Sequence, residues 1–543
     1  MTQIKTLDLG NRMVDILSLD KVITQKGYAI RKAFLTDEQK STLEKTLEVA
    51  PERHGRVGAA EAPSFRIYRE SPQRYYVPRQ WGINTYGPAD ANVVNEGLPI
   101  TLEFKGNPYE YQTTIINKFI DSGGNGLICV PCGKGKTFMA VAIAAKLGKK
   151  FLVVVDKEFL MNQWKQEIES LMPGIRIGIL QRDKQQLGSE IISGKELTVP
   201  ELKTRARDAG LRVGGNRAEL LARLVEANVD TKPKSETVEY DCTLCMIQSL
   251  CMQDFHEGAF RDYGFCIFDE CHHLGAAHFS KSLLKIQTKW MLGLSATPQR
   301  DDGLTKVFEW FLGEPVYWEK IREPDPMVLV RPIYFKSDNP AYTTIPYDWR
   351  HEIIMGRLLT QVVECSERND EIAKILLELA GDRRRRVLVL SERISHLEAI
   401  ENRVKGKGFE IGYYVGGMKE EVRESGAVTA NILLASYAMA SEAMNIKTLN
   451  TVILASPRKK VEQSTGRILR IRAEHRLVAP MIVDIIDSNI GVYKNQYFQR
   501  SRYYKKCKYT FTNGIVEEEK SDCLIMEEGE EEELNTGCLI MED

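Results

Sequence analysis

The segment Val130-Pro-Cys-Gly-Lys-Gly-Lys-Thr137 constrains this chain more than any other. It follows the apolar run Gly126-Leu-Ile-Cys-Val130 and precedes the Ala-rich stretch from Phe138 to Leu147, so it reads as strand, glycine loop, helix. Such a loop aims successive backbone N–H groups, plus the positive end of a helix, at a polyphosphate. Gly133 and Gly135 allow the close approach, Lys136 is placed to neutralise the β- and γ-phosphates, and Thr137 to hold Mg2+ through its hydroxyl. Val130 stands where the general G-x-x-x-x-G-K-[ST] pattern has its first glycine, so the loop alone is equally compatible with an ordinary turn.

Three later segments point the same way. Cys266-Ile-Phe268 is an apolar strand ending in Asp269-Glu270-Cys271-His272. A carboxylate pair at the C-terminal end of a strand beside a phosphate loop is where Mg2+ and the attacking water are handled. Asp269 is the expected Mg2+ residue and Glu270 the expected base for that water. Leu292-Gly-Leu-Ser-Ala-Thr-Pro298 is another strand entering a hydroxyl-rich turn. Far downstream, Gln463-Ser-Thr-Gly-Arg467-Ile-Leu-Arg470 sets Arg467 and Arg470 one helical turn apart, where both can face one γ-phosphate.

These motifs, with Met246-Ile-Gln-Ser-Leu250, Asp269-Glu-Cys-His-His273 and the run Gly293 to Gly303, resemble those of superfamily 2 helicases. The resemblance is to the XPB/UvsW branch, and within it to poxvirus-type transcript-release helicases and relatives in other large DNA viruses; it covers roughly residues 60 to 510. It implies an α/β fold with two tandem RecA-like domains, ATP and Mg2+ as cofactors, DNA (single-stranded or forked duplex) as the track, and 3′→5′ movement. It also implies that Gln112 reads the adenine edge, that Gln163, Trp164, Gln248 and Ser249 face nucleic acid, and that Gln463 acts with Arg467 and Arg470 in catalysis. The histidine of the acidic motif is implied to couple the nucleotide to the other motifs. Departures are Asp156-Lys157 where the family usually has Pro-Thr, and Glu442-Ala-Met-Asn-Ile446 where it has Glu-Gly-x-Asp-Ile.

Length and motif placement suggest six segments. They are an N-terminal accessory α/β domain (1–105), a first RecA-like domain (106–325), a SAP-like insertion (195–230), a second RecA-like domain (326–488), a C-terminal helical segment (489–516) and an acidic tail (517–543). In the insertion, Thr198 with Glu201 and Asn216 with Glu219 are N-cap residues with a Glu three positions on, which predicts helix, glycine loop, helix. It resembles a SAP domain, with Lys203, Arg205 and Arg217 as candidate DNA contacts; charged helices are, however, usually solvated faces. The N-terminal stretch interleaves Arg66, Arg69, Arg74 and Arg79 with Tyr68, Tyr75, Tyr76 and Trp81. Ordinary core packing is the expected role, ahead of base stacking. Arg383 to Arg386 read as a solvated loop before the buried strand Val387 to Leu390. The Tyr- and Lys-rich helix from 489 to 516 is open between tracking DNA and packing the second domain.

Net charge is −1, but residues 517–543 hold twelve acids and one Lys, leaving 73 basic against 63 acidic residues in the remainder. A basic body suits a phosphate backbone. The tail repeats Cys523-Leu-Ile-Met-Glu-Glu528 as Cys538-Leu-Ile-Met-Glu-Asp543, which suggests a bivalent docking motif for RNA polymerase or another protein, the alternative being a solubilising acidic tail that keeps the basic body off nucleic acid. No apolar run has membrane-spanning length, the start lacks a signal pattern, and eleven scattered cysteines fit a reducing intracellular compartment; the resemblance to viral helicases implies a virion or infected-cell cytoplasm. Cys242-x-x-Cys245 lacks a second ligand pair at finger spacing, so zinc is not expected. The expected activity is a DNA helicase or translocase in viral recombination, repair or replication. The alternative is a transcription factor that docks on polymerase and releases transcripts.

Overall fold

The computed structural model describes residues 6–8, 13–52, 63–131, 133–192, 198–227, 229, 236–256, 258–275, 278, 280–300, 302–319, 324–442, 444, 446, 448–469, 471 and 473–512. Arg470, Asn445, Ala443, Cys132 and the tail repeat lie outside the described residues.

The first lobe is built on an eight-stranded sheet. Its order is Lys184–Gln185, Ile177–Gln181, Cys242–Met246, Phe151–Val155, Phe265–Phe268, Trp290–Ser295, Asn125–Cys129, Pro315–Trp318, parallel throughout except for the Lys184–Gln185 hairpin. The central strands are continuous apolar runs because both faces are covered, as a parallel sheet requires. Strand Trp290–Ser295 lies between the phosphate-loop strand and the acidic strand, in register Cys129 to Ser295 and Phe268 to Gly293. Gly293 is needed there, since a Cβ would meet Leu127 Cδ2 at 2.4 Å. Cys242 and Cys245 occupy one strand and point into different cores, so their thiols do not converge.

The N-terminal region forms a five-stranded sheet ordered Arg69–Glu70, Arg74–Val77, Gly27–Arg31, Lys21–Thr24, Ala91–Asn92. Tyr68, Tyr75 and Trp81 are core residues, continuous with Leu127, Leu152 and Phe308 of the first lobe. Arg74 and Arg79 are buried too. Arg79 donates to the carbonyls of Thr288 and Lys289 and to Asn125 Oδ1, bolting this region onto the sheet.

The insertion leaves the first lobe through an antiparallel ribbon, Ser189–Ile192 with Glu236–Glu239. Helices Val199–Asp208 and Arg217–Glu226 both start in capping boxes, and they enclose a small core of Leu202, Ala206, Leu220 and Leu224. Arg223 donates to the Gly214 carbonyl at 3.0 Å and so pins the loop between them. Lys203 and Arg217 are exposed and Arg205 is half-buried.

The second lobe carries a seven-stranded, wholly parallel sheet: Ile411–Tyr414, Ile432–Ser436, Val387–Ser391, Thr451–Leu454, Met481–Asp487, Leu329–Phe335, Thr510–Phe511. The chain beyond 489 thus returns to this sheet as its edge strand. Helix Gly491–Lys506 packs on it through Tyr493, Tyr497, Arg500 and Tyr504, which gives the packing role to that face and leaves Arg502, Lys505 and Lys506 outward. The arginine run divides: Arg383 and Arg384 are exposed, as the sequence reading expects, while Arg385 and Arg386 are half-buried. Arg385 donates to Thr451 Oγ1 and the Ala479 carbonyl, and Arg386 to the Ala430 and Ala427 carbonyls. Both close the start of the sheet instead of lying in solvent. Two buried pairs hold the strand Met481–Asp487: Arg368 with Asp487 at 2.7 Å and Arg500 with Asp484 at 2.7 Å.

Candidate active site

Gly133 and Gly135 take left-handed backbone, with φ of 90° and 81°, and Gly135 caps the helix Lys136–Leu147. A Cβ on Gly133 would meet nothing within 4 Å, so that side of the loop is an open cradle. On the other side Gln112 packs underneath. It accepts the Tyr109 N–H at 3.0 Å and donates to the Lys134 carbonyl at 3.1 Å, which ties the preceding helix to the loop. Tyr111 donates its hydroxyl to the same carbonyl at 3.1 Å and receives the Lys134 ammonium over its ring. Lys134 also pairs with Glu319 at 3.4 Å, a residue that no motif would have singled out.

Lys136 Nζ donates to Glu270 Oε1 at 3.1 Å, so the phosphate-loop lysine and the acidic strand end meet directly. Glu270 has a positive φ of 43°, a strained setting for a side chain, and strain of this kind clusters at functional sites. Its Oε2 is buried without a hydrogen bond among the described residues, 3.4 Å from His272 Nδ1. Burial, reinforced by Glu270, pushes Asp269 up to about 6, against the pull of Lys136 and Trp164. Glu270 goes the other way: burial is the largest single influence and would raise it, but the charge and hydrogen bond of Lys136, together with the His272 and His273 side chains, hold it below the usual range. Two adjacent carboxyls with pKa values driven apart suit different roles. Burial lowers His272 to about 4, so it is a neutral imidazole; its Nδ1 stands 3.0 Å from Ser295 Oγ, which also accepts the Thr297 N–H. Arg300 donates to the His272 carbonyl and to Asp302, extending this link along the chain after Ser295.

Two nucleic-acid assignments are overturned. Trp164 is 1% exposed, and its indole N–H donates to Asp269 Oδ2 at 2.8 Å. It cannot reach a bound strand; it positions the acidic residue. Ser249 is buried, and its hydroxyl accepts the Arg182 N–H at 2.9 Å. Gln163 and Gln248 are half-buried, and Gln248 donates to the Asp156 carbonyl at 2.8 Å. Asp156 in turn lies 3.8 Å from His273 Nε2, which links this segment to the acidic motif. Thr137 is half-buried in the first turn of the loop helix. In the second lobe Gln463 is half-buried, while Arg467 is buried and donates to the Met444 carbonyl at 2.9 Å.

A glycine loop at a helix start, an acidic pair two strands away and a Ser-Ala-Thr strand between them define a P-loop ATPase of RecA-like build. Residues 105–300 match the family described as "Type III restriction enzyme, res subunit". The chain is 28% identical over 510 residues to a mimivirus protein named an ATP-dependent RNA helicase (Acanthamoeba polyphaga mimivirus), covering 91% of this chain and 87% of that one. It is 24% identical over 406 residues to the DNA 3′-5′ helicase XPB of Mycobacterium tuberculosis, covering 70% and 61% respectively. The T4 UvsW crystal structure aligns over 91% of this chain and 99% of its own at 16% identity, with a TM-score of 0.32. Residues 105–300 thus carry a helicase-type domain that uses ATP, and the chain is similar over most of its length to superfamily 2 helicases, XPB among them.

Proposed function

We propose that the chain is an ATP-driven translocase on DNA that moves 3′→5′ and serves viral DNA metabolism. The observation that carries the motor is the contact of Lys136 with Glu270, set beside Asp269 and its Trp164 donor. The open side of Gly133 and the positive helix end at Gly135 fit the triphosphate of ATP. On nucleotide entry Lys136 exchanges its carboxylate partner for phosphate oxygens, which frees Glu270 to take the proton of the attacking water. Thr137 and Asp269 are the residues that would hold Mg2+, which would neutralise phosphate charge when bound. Arg467, with Gln463, belongs to the opposing wall; the same role expected of Arg470 falls outside the described residues. Their approach and withdrawal couple hydrolysis to lobe movement. His272 with Ser295, and Gln248 with Asp156 and His273, join the hydrolytic pair to the segments assigned to the track.

DNA as the track is supported by the similarity to XPB and by the excess of basic residues before the acidic tail; in the insertion Lys203 and Arg217 lie on the surface. The mimivirus relative carries an RNA helicase name, so the decisive measurement is ATP turnover with single-stranded DNA, forked duplex and RNA, beside Lys136→Ala. Stimulation by DNA that Lys136→Ala reduces at least about 100-fold is the expected result. Stimulation by RNA alone would sink the DNA assignment while leaving the motor intact.

A further inference from the structure

Strand Leu329–Phe335 of the second lobe leads into a turn that the helicase motifs do not include. Tyr347 and Ile353 pair as an isolated antiparallel bridge. The Asp348 N–H donates to the Glu352 carbonyl at 2.9 Å, and Asp348 Oδ1 accepts the N–H groups of Arg350 at 2.8 Å and Glu352 at 2.9 Å. His351 closes the turn with a φ of 59°. At its tip Trp349 is 82% exposed, with the Arg350 guanidinium 4.3 Å from the ring centroid. The other five tryptophans, Trp81, Trp164, Trp290, Trp310 and Trp318, are buried or half-buried. Tyr347, at the base of the turn, is 52% exposed, so two aromatic rings stand out beside one guanidinium.

The mount beneath the turn is firm. Gln361 donates to the Tyr342 and Thr344 carbonyls, each at 2.8 Å, and Tyr342 donates to Asp487 Oδ1 within the buried Arg368 pair. Because every strand of this sheet is parallel, all the strand C-termini share one side of the lobe. The turn emerges after Phe335 on that side. So do the segments following Ser436 and Leu454 that lead to Ile446 and Gln463. The neighbours at the tip are polar: Asp348, Arg350, His351 and Glu352. Aromatic rings backed by a cation, on the side of the lobe where the motif segments emerge, form an arrangement that stacks nucleobases.

We propose that the Tyr347–Ile353 turn is a base-stacking wedge, in which Trp349, backed by Arg350, lays its free face on an unpaired base of the nucleic-acid strand crossing the second lobe. The assignment rests on the translocase reading above. Arg350 keeps the ring oriented and adds positive charge near the phosphates, and Asp348 keeps the turn from folding the ring away.

The test uses the full chain with fluorescein-labelled dT and rU oligonucleotides read by anisotropy, unlabelled copies of the same oligonucleotides read by tryptophan emission, and a forked duplex. Trp349→Phe retains a stacking ring but lacks indole emission, so the wild-type minus variant signal reports Trp349. Unlabelled oligonucleotide should quench that difference signal. Trp349→Ala should weaken single-strand binding about tenfold and slow fork unwinding similarly, with ATP turnover at saturating strand within about twofold of wild type. Normal anisotropy binding without quenching, or unchanged affinity and unwinding in Trp349→Ala, overturns the wedge and points to a protein contact instead. Failure of the wild type to bind either oligonucleotide overturns the translocase reading, and the wedge with it.

Discussion

Trp164 shows how one residue's role turns on a single contact. The Gln-Trp pair after a strand resembles a backbone-contacting motif, yet Leu160, Trp164 and Ile168 recur every four residues on one apolar stripe of helix Glu158–Leu171. That stripe was readable and argued for burial; the partner of the indole N–H was not, because Asp269 is 105 residues away. Trp164→Phe keeps most of the packing and removes the donor. Hydrogen bonds to charged groups contribute roughly 1.5–3 kcal/mol, so turnover should fall about tenfold or more with an unchanged circular dichroism spectrum. Full activity in this variant would show that Asp269 is held adequately without it. His396 makes a pH prediction. Burial, with Arg368 nearby, pushes its imidazole down to about 3, against about 6.5 in an unfolded chain. The unfolded chain therefore takes up a proton that the fold refuses. Stability contributed by this group is full above about pH 6.5 and falls as pH drops toward 3, by about 1.4 kcal/mol per unit. His272 adds a second such proton. Urea titrations between pH 7 and 5 should show a shallower dependence in His396→Gln, by about one proton.

Among the elements, the two-helix insertion is the clearest case of local sequence setting local structure. Thr198 with Glu201 and Asn216 with Glu219 start its helices, and the reciprocal side-chain bonds are present at both ends. The ribbon that carries it, Ser189–Ile192 with Glu236–Glu239, was not legible, since short polar strands have no distinctive period. Asn216→Ala should cost the module about 1 kcal/mol, and Leu220→Ala, in a core of four buried side chains, about 2–5 kcal/mol. Hydrogen exchange is the measurement that checks this. Peptides within 198–227 should lose protection in Leu220→Ala while helix Lys136–Leu147 keeps its own. Equal loss in both would mean that the insertion and the lobe unfold together.

At the scale of the whole molecule, the second lobe is pinned by charges that no linear pattern pairs. Arg368 and Asp487 are both fully buried, with Arg368 also donating to the Ala455 carbonyl and Tyr342 to Asp487. Removing one partner leaves an uncompensated buried charge. Arg368→Ala should therefore destabilise the protein by about 3–5 kcal/mol, visible as a lower denaturant midpoint with the first-lobe nucleotide site still able to bind ATP analogue. Loss of both together would show that the lobes do not unfold separately. Arg79 has the matching role for the N-terminal region, reaching Thr288 and Lys289 across more than two hundred residues.

The sequence by itself determined the RecA-like class, the phosphate loop and the acidic strand end. Each of these is written in contiguous residues whose backbone geometry is local: glycines at positive φ, apolar strands, a helix start. Only the tertiary structure decided that Lys136 meets Glu270, that Trp164 and Ser249 face inward, that Arg385 and Arg386 close a sheet, and that Trp349 alone of the tryptophans stands out in solvent. The physical reason is range. Backbone preference and periodicity act over a few residues, whereas burial and the pairing of polar groups depend on which distant strands become neighbours.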